Sequence, residues 1–306
     1  MNPITTAQPS LSVPAPATVL ELLKPITWFA PMWAFACGVV SSGVAPASTL
    51  HWLLIAGGVL LAGPLVCGTS QAVNDWFDRH VDAINEPGRP IPSGRMPGRW
   101  GLWIALITSG LALLLAALLG PVILAAAALG LALAWAYSAP PFRLKRDGWT
   151  GNSAVGLCYE GLPWVTGAAL MTGGLPGWPI LALALLYSLG AHGIMTLNDF
   201  KSIEGDRAMG IRSLPARLGV QSAARLACVV MTVPQAVVIG LLLHWQLPVA
   251  ALAVSALVIV QIALMLRWLQ APRQRAPWYN ATGTTLYVLG MLVSAIALAS
   301  QSQGGP

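Results

Sequence analysis

The sequence predicts an all-α, polytopic membrane protein in which nine transmembrane helices form one bundle. Of its 306 residues, 56% are hydrophobic and only 8% are charged, whereas soluble domains carry roughly 25% charged residues. Apolar stretches of about 20 residues, long enough to cross a hydrocarbon core, recur along the chain. The basic residues fall between these stretches in a regular pattern. We expect the basic, cytoplasmic loops to cap a central cavity.

The apolar stretches do not divide into separate domains, because no long linker interrupts them. They lie at residues 26–46, 50–73, 101–119, 121–138, 152–172, 177–197, 223–243, 247–267 and 283–300. Residues 21–306 are therefore predicted to be a single domain. Residues 1–20 contain no Lys or Arg and are rich in Ser, Thr, Pro and Ala. That composition predicts a disordered cytoplasmic tail and not a signal or transit peptide.

The positions of the Lys and Arg residues predict how the bundle is oriented. All 16 lie before span one or at the junctions of spans two and three, four and five, six and seven, and eight and nine. Short loops rich in Lys and Arg stay in the cytoplasm. We therefore expect a cytoplasmic N-terminus and a periplasmic C-terminus in a bacterial inner membrane. The net charge of +6 then indicates membrane lipid and phosphate as partners and argues against nucleic acid.

Two acidic segments, residues 74–82 and 198–206, each begin with Asn-Asp at the end of a predicted span and together hold six of the ten acidic residues. In the first segment the acids recur every three or four residues, which places them on one helix face. Like charges there repel unless cations bind, and oxygen ligands favour magnesium. The alternative is a solvated helix end or a salt-bridge cluster. The candidate metal ligands are Asn74, Asp75, Asp78, Asp82, Asn198, Asp199, Glu204 and Asp206.

Four predicted spans separate the two acidic segments, so both face the same side of the membrane and can form one pocket. Magnesium prefers one or two carboxylates together with substrate phosphates, which predicts a phosphate compound between the segments. Nearby basic residues can neutralise charge on a departing diphosphate. They are Arg79, Arg89, Arg143, Lys145, Lys201 and Arg207. Anchoring to lipid headgroups is the alternative, which we favour for Arg273 and Arg275.

Residues 74–82, 137–145 and 198–206 resemble the motifs of the UbiA-type intramembrane prenyltransferases, and the resemblance covers nearly the full chain. Within that family, residues 82–94 and 198–207 are similar to chlorophyll and, most closely, bacteriochlorophyll synthases. Family members commonly carry an Asp four residues before the last acid of the second motif. This chain has Ser202 there, which leaves Asp199, Glu204 and Asp206 as ligand candidates.

The resemblance implies an activity, a cofactor and a membrane. The activity is esterification of the propionate of (bacterio)chlorophyllide a with a C20 group from geranylgeranyl or phytyl diphosphate, which releases diphosphate. The cofactor is Mg2+, expected as two ions, and the membrane is the intracytoplasmic photosynthetic membrane. The propionate is already ionised near neutral pH, so no strong general base is required. The expected catalytic residues are Asp75, Asp78, Arg143, Lys145 and Glu160.

Other residues are candidates for binding the acceptor. Glu160 is the only acid deep within a predicted span, where acids are usually functional. It could orient the macrocycle or the carbocation, or it could be a protonated packing residue. His192 could ligate the pigment's magnesium, but a lone His near a helix end more often packs or donates a hydrogen bond. Tyr137 and Trp164 lie close to the expected pocket along the chain and could contact a ring system.

Two alternatives stay open at this point. An acid within a membrane helix often marks an ion path, so an ion-coupled transporter is the rival from another class. Its site would lie near the midplane on broken helices, whereas these acids cluster at helix ends. Within the family, an aromatic quinone precursor or haem could replace the pigment as acceptor. The sequence does not identify a protein partner from pigment biosynthesis.

Overall fold

The computed structural model describes residues 13–303, and these residues are helical apart from turns, loops and one isolated parallel bridge between Asp147 and Arg212. The all-α prediction is confirmed. Two π-helical segments, Leu61–Cys67 and Leu157–Gly161, and two short 3-10 helices, Pro25–Thr27 and Leu144–Arg146, interrupt the α-helices. The α-helices are α1 Pro16–Leu23, α2 Phe29–Ser41, α3 Thr49–Leu60, α4 Gly68–Asn85, α5 Trp100–Leu119, α6 Pro121–Ser138, α7 Gly148–Gly156, α8 Leu162–Thr172, α9 Trp178–Asp199, α10 Ile203–Ala208, α11 Leu214–Leu218, α12 Val220–His244, α13 Pro248–Trp268 and α14 Pro272–Gln303.

Within residues 13–303, seven helices are long and apolar enough to cross a membrane. The number rises to eight if Pro16–Thr27 and Phe29–Ser41, which meet at 58°, are counted as one bent span. The predicted span at 152–172 is helical but is not among the seven, because Glu160 and several glycines make it less apolar. A multi-pass membrane protein is confirmed, and the count of nine stays a prediction.

The helix from Thr49 to Asn85 is 37 residues long, well beyond the roughly 20 residues that span a hydrocarbon core. Its first half is apolar, and its second half carries the first acidic motif. Pro64 lies in the π-helical segment. Since proline has no N–H to donate within a helix, the wider turn accommodates it while the helix continues. The acidic motif is thereby held at the end of one long helix.

Small residues allow α2 and α8 to pack backbone against backbone. A Cβ atom added at Gly38 would lie 2.0 Å from the Trp164 carbonyl oxygen, and one at Gly167 would lie 2.1 Å from the Phe35 carbonyl oxygen. Close approach through small residues is the usual way in which membrane helices pack. This contact fixes the position of α8 and of the π-helical segment before it.

Buried hydroxyl groups join α9 to α14. The Tyr287 hydroxyl donates to the Tyr187 carbonyl oxygen at 2.6 Å, and the Tyr187 hydroxyl lies 2.9 Å from Ser294 Oγ. Helix α9 also packs against α7 and α12. Because α9 is held on several sides, the second acidic motif at its end has a fixed position.

Helix α1 overlaps the end of the predicted tail, residues 1–20. Residues 1–12 lie outside the part of the chain that the structure describes. Helix α1 begins at Pro16, inside the predicted tail, so the predicted boundary lies too late. Proline suits the first position of a helix because its missing N–H would be unpaired there anyway, and Leu22 anchors the helix in the core. The single domain over residues 21–306 stays a prediction.

Candidate active site

The carboxylates of the first acidic motif lie on α4 and are paired with basic side chains from other elements. Lys24, in the bend after α1, places Nζ 2.7 Å from Asp75 Oδ1. Arg89 lies 3.3 Å from the same oxygen and 2.8 Å from Asp82 Oδ2. Asp75 is 1% exposed, and its other oxygen, Oδ2, has no hydrogen-bond partner. That oxygen is a buried acceptor available to an incoming cation.

The loop between α6 and α7 supplies a partner to Asp78, the remaining carboxylate of this motif. Lys145 forms an ion pair with Asp78, and burial lowers the pKa of Lys145, although the neighbouring carboxylate opposes that shift. Asn74 Nδ2 donates to Asp78 Oδ2 at 3.0 Å and to Ser138 Oγ at 3.1 Å. The ion pair holds the basic loop against α4, and the bond from Asn74 to Ser138 joins α4 to the end of α6.

The second motif is held by neutral donors. Ser213 Oγ lies 2.5 Å and Ser202 Oγ 3.2 Å from Asp206 Oδ2. Asn152 Nδ2 donates to Asp199 Oδ2 at 3.3 Å. Hydroxyl and amide groups carry no positive charge, so Asp199 and Asp206 have hydrogen-bond donors but no counter-ion among the described residues.

Both acidic motifs face the same space. One short stretch of chain contacts both motifs: Lys145 pairs with Asp78 of the first, and Asn152 donates to Asp199 of the second. Lys201, next to the second motif, lies within electrostatic reach of Glu86, next to the first. The two motifs therefore lie at the same end of the bundle, as the even number of predicted spans between them indicates.

The donor set fits magnesium that is shared with phosphate. Among the residues the structure describes, no three acidic, His or Cys side chains form a complete metal site by themselves. Magnesium is usually held by one or two carboxylates, with water and substrate phosphate completing its shell. Separate carboxylates around one space, together with the unpaired Asp75 oxygen, are the arrangement that such sharing requires.

Two predicted ligands lie apart from this group. Arg273 places two nitrogens 2.5 Å each from the two carboxylate oxygens of Glu204, which is 65% exposed. This pairing lowers the pKa of Glu204. Asn198 is exposed, and its amide nitrogen lies 4.0 Å from Met195 Sδ. Arg273 thus holds Glu204, and no contact joins Asn198 to a carboxylate among the described residues.

Three of the predicted diphosphate-binding residues contact groups outside the acidic motifs or line an open cleft. The Arg79 guanidinium stacks 4.4 Å from the Trp76 ring and donates to the Trp76 carbonyl oxygen. Arg207 donates to the Ala216 carbonyl oxygen at 3.4 Å. Arg143 lines an open, polar cleft of about 340 Å³. Lys145 and Arg89 thus contact the acids directly, whereas Arg79, Arg143 and Arg207 form no ion pair among the described residues.

A cavity of about 210 Å³ begins beside the first motif and runs between α4, α6 and α7; it is called the main cavity below for its position and not for its size. Asn74 and Tyr137 line it, and apolar residues form most of its wall. A narrow apolar cavity of about 30 Å³ continues it and shares Ala62, Val66 and Cys158. A polar mouth and an apolar interior suit a ligand with a charged head and a hydrocarbon tail.

Glu160 lies in the π-helical segment between α7 and α8 and is buried, and its Oε2 has no hydrogen-bond partner. It lines a second cavity of about 260 Å³ between α2, α7, α9 and α14. Val155, Tyr159 and Met195 line both this cavity and the main one. Those three residues are referred to below as the shared wall.

Of the three predicted acceptor-binding residues, only Tyr137 lines a described cavity. Trp164 is fully buried and stacks on Tyr187 at 5.6 Å, which makes it a core residue. His192 stacks on Trp149 at 5.3 Å, and its Nδ1 lies 3.1 Å from Ser153 Oγ. Its Nε2 is buried without a partner, yet no described cavity reaches it.

Sequence reasoning missed Lys24, Asn152 and Ser213 as parts of the site. Lys24 is the only basic residue before the first predicted span, a signal that could have directed attention to it. Asn152 is a polar residue at the start of an apolar stretch, which is another such signal. Ser213 carried no signal, because its contact depends on how the loop after α10 folds back.

The chain matches the UbiA prenyltransferase family over residues 30–289. It belongs to that family. Within it, the chain is 56% identical over 287 residues to the "Bacteriochlorophyll synthase 33 kDa chain" of Cereibacter sphaeroides, with 94% of each chain covered. It is 54% identical to the protein of the same name from Rhodobacter capsulatus, covering 94% of this chain and 95% of the relative.

A solved structure shares the fold of this UbiA-family chain. It is the UbiA homologue from Archaeoglobus fulgidus bound to GPP and Mg2+, with a TM-score of 0.69 and 20% identity, covering 92% of this chain and 99% of that one. At this identity the likeness concerns the fold. Family membership makes the chain a prenyltransferase and decides against the ion-coupled transporter.

Proposed function

We propose that this prenyltransferase esterifies the propionate of (bacterio)chlorophyllide a with a C20 group from geranylgeranyl or phytyl diphosphate and releases diphosphate. The proposal is carried by the two acidic motifs, which the stretch from Lys145 to Asn152 brings together, and by the apolar cavity that Asn74 of the first motif lines. The relatives at 56% and 54% identity, named for bacteriochlorophyll synthesis, support the pigment as acceptor over a quinone precursor or haem.

The position of each residue determines its proposed role in binding metal or diphosphate. Asp75, Asp78, Asp82, Asp199 and Asp206 would hold two Mg2+ ions together with the diphosphate, and Glu204 is left out because it pairs with Arg273. Bound Mg2+ would supply charge neutralisation to the departing diphosphate. Three basic residues form ion pairs with these acids, namely Lys24, Arg89 and Lys145. They can donate to phosphate oxygens once the acids bind metal.

The tail of the donor would occupy the main cavity and its narrow continuation. The apolar walls exclude water from the allylic carbon as its bond to oxygen breaks, which protects the cation-like centre from hydrolysis. The acceptor's propionate then forms the ester bond at that carbon. Since this carboxylate is already ionised, the site needs no residue to remove a proton.

We further propose nine spans with a cytoplasmic N-terminus and a periplasmic C-terminus, in the intracytoplasmic photosynthetic membrane. The helical stretch Gly148–Thr172, joined through its π-helical segment, would be the span that completes the nine. The grouping of the basic residues at the motif end supports this orientation.

The test assays membranes that contain the protein with each pigment, chlorophyllide or bacteriochlorophyllide, and each C20 diphosphate. We expect ester and diphosphate in equal amounts only when Mg2+ is present. Asp78→Ala should lower the rate by roughly 100-fold or more, as loss of a charge-stabilising group does. Glu21→Gln is the matched control, because Glu21 pairs with Arg95 on the exposed surface. Ester formation that survives both chelation and Asp78→Ala would refute the proposed site.

A further inference from the structure

The second cavity contains a buried acid that the proposed reaction does not use. Glu160 is 4% exposed, and its Oε2 has no hydrogen-bond partner among the residues the structure describes. A lone buried charge is costly, and a buried polar group normally has a partner. An unpaired carboxyl group on a cavity wall therefore indicates a ligand that completes its hydrogen bonding.

The hydroxyl groups of this cavity already have partners. Thr285 Oγ1 donates to the Ala281 carbonyl oxygen at 2.8 Å, and Thr284 Oγ1 lies 3.2 Å from Asn280 Oδ1. Tyr159 directs its hydroxyl towards the main cavity, where it accepts from Gln71 Nε2 at 3.2 Å. Glu160 is thus the buried group in this cavity that has an oxygen left to bond.

The second cavity lies directly beside the proposed position of the prenyl group. The shared wall of Val155, Tyr159 and Met195 is the surface between the two cavities. A ligand in the second cavity would therefore be adjacent to the apolar cavity without occupying it. Phe29 and Val288 contribute apolar surface around Glu160, which suits a flat ring system with few polar groups.

We propose that the second cavity binds the ring edge of the acceptor and that Glu160 is a positioning residue that donates a hydrogen bond to a ring carbonyl. This proposal rests on the proposed function. A neutral carboxyl group donates one hydrogen bond, and a ring ketone accepts one without bringing charge into the cavity. That bond sets the rotation of the ring system and so directs the propionate towards the shared wall.

The test compares Glu160→Leu, which keeps the volume and removes the hydrogen bond, with Glu160→Gln, which keeps an N–H donor. Binding of chlorophyllide to the purified full-length protein is followed by fluorescence without any diphosphate, and KM is measured for both substrates. Glu160→Leu should weaken chlorophyllide binding and raise its KM by roughly tenfold, the worth of one hydrogen bond of this kind. KM for the diphosphate should stay within about twofold, and Glu160→Gln should retain most of the affinity.

Thr172→Val serves as the matched control. Thr172 lies on the same helical stretch, its hydroxyl donates to the Ala168 carbonyl oxygen at 3.0 Å, and it lines neither cavity. Equal chlorophyllide affinity in Glu160→Leu and Thr172→Val would overturn the proposal. So would a larger effect on the diphosphate KM than on the chlorophyllide KM.

A chemical change in the acceptor keeps the test valid if Glu160→Leu folds poorly. Reducing the ring ketone to an alcohol moves its oxygen out of the ring plane. Reduction should weaken binding to the wild type and, by a similar factor, to Glu160→Gln, whose amide N–H donates to the same ketone. Unchanged binding of the reduced pigment to the wild type contradicts the proposed contact. If the wild type forms no ester with any pigment, the proposed function is wrong. If ester forms but the Glu160 variants bind chlorophyllide as the wild type does, only this inference is wrong.

Discussion

Asp75 illustrates how much of the site depends on contacts between distant residues. The spacing of the acids on α4 is visible in the sequence, and it predicts a face that attracts cations. The pairing of Asp75 with Lys24 and Arg89 is not visible, because it depends on how α1 and the loop after α4 fold onto that face. Glu204 shows the converse, since its spacing fits the motif while Arg273 holds it on the exposed surface.

We expect Gly130 to limit how far the proposed prenyl tail can reach. It lines the narrow continuation of the main cavity, and an added Cβ would lie 3.6 Å from both Leu162 Cδ1 and Val66 Cγ1, which is ordinary contact. Gly130→Ala should therefore be tolerated, whereas Gly130→Leu should fill the continuation. We expect Gly130→Leu to lower kcat/KM for geranylgeranyl diphosphate by roughly tenfold or more, because overpacking costs about 1–3 kcal/mol.

The same two variants are then assayed with geranyl diphosphate, whose tail is half as long. Gly130→Leu should leave its kcat/KM within about twofold of the value for Gly130→Ala. If the long and the short donor lose activity equally, the continuation does not hold the end of the tail.

At the scale of elements, the sequence predicts where the apolar helices lie better than where they bend or change type. The helix from Thr49 to Asn85 was predicted as a span over residues 50–73, and its end carries the motif as expected. The π-helical turns at Leu61–Cys67 and Leu157–Gly161 were not predicted, because a single extra residue in a turn leaves no period in the sequence. Both turns line the cavities, so the missed feature shapes the site.

The α2–α8 contact should tolerate no side chain at Gly167. An added Cβ would lie 2.1 Å from the Phe35 carbonyl oxygen, a backbone atom that cannot turn aside. Gly167→Leu should separate the helices and lower the melting temperature in detergent, with a cost of at least about 1–3 kcal/mol. Gly110→Leu is the control, because a Cβ there meets nothing within 4 Å. Equal melting temperatures for the two variants would show that this close contact is absent.

At the scale of the whole molecule, ion pairs gather the basic segments of the chain at one end of the bundle. They link α1 to the loop after α4, the first acidic motif to the bend after α1 and to the loop after α6, that loop to the loop after α10, and α10 to the start of α14. The pairs are Glu21–Arg95, Lys24–Asp75, Lys145–Asp78, Asp147–Arg212 and Glu204–Arg273. The sequence predicted this grouping from charge alone, since Lys and Arg avoid the far side of the membrane.

Cysteines introduced at opposite ends of the bundle should label from opposite sides of the membrane. Gly88 and Gly174 both have open space around a new Cβ, so Gly88→Cys and Gly174→Cys should fold in a chain whose four native cysteines are replaced by alanine. In sealed inside-out vesicles, an impermeant maleimide should label residue 88 only, and in right-side-out spheroplasts residue 174 only. Labelling of both from one side would contradict the proposed topology.

The shared wall of Val155, Tyr159 and Met195 lies between two cavities. If the proposed occupants are correct, each reactant has a cavity of its own, and the kinetics should follow a random-order, sequential scheme. The ester, by contrast, would join the contents of both cavities at this wall. We therefore expect its departure to require α7 and α9 to move apart, so that turnover depends on the thickness and fluidity of the surrounding bilayer.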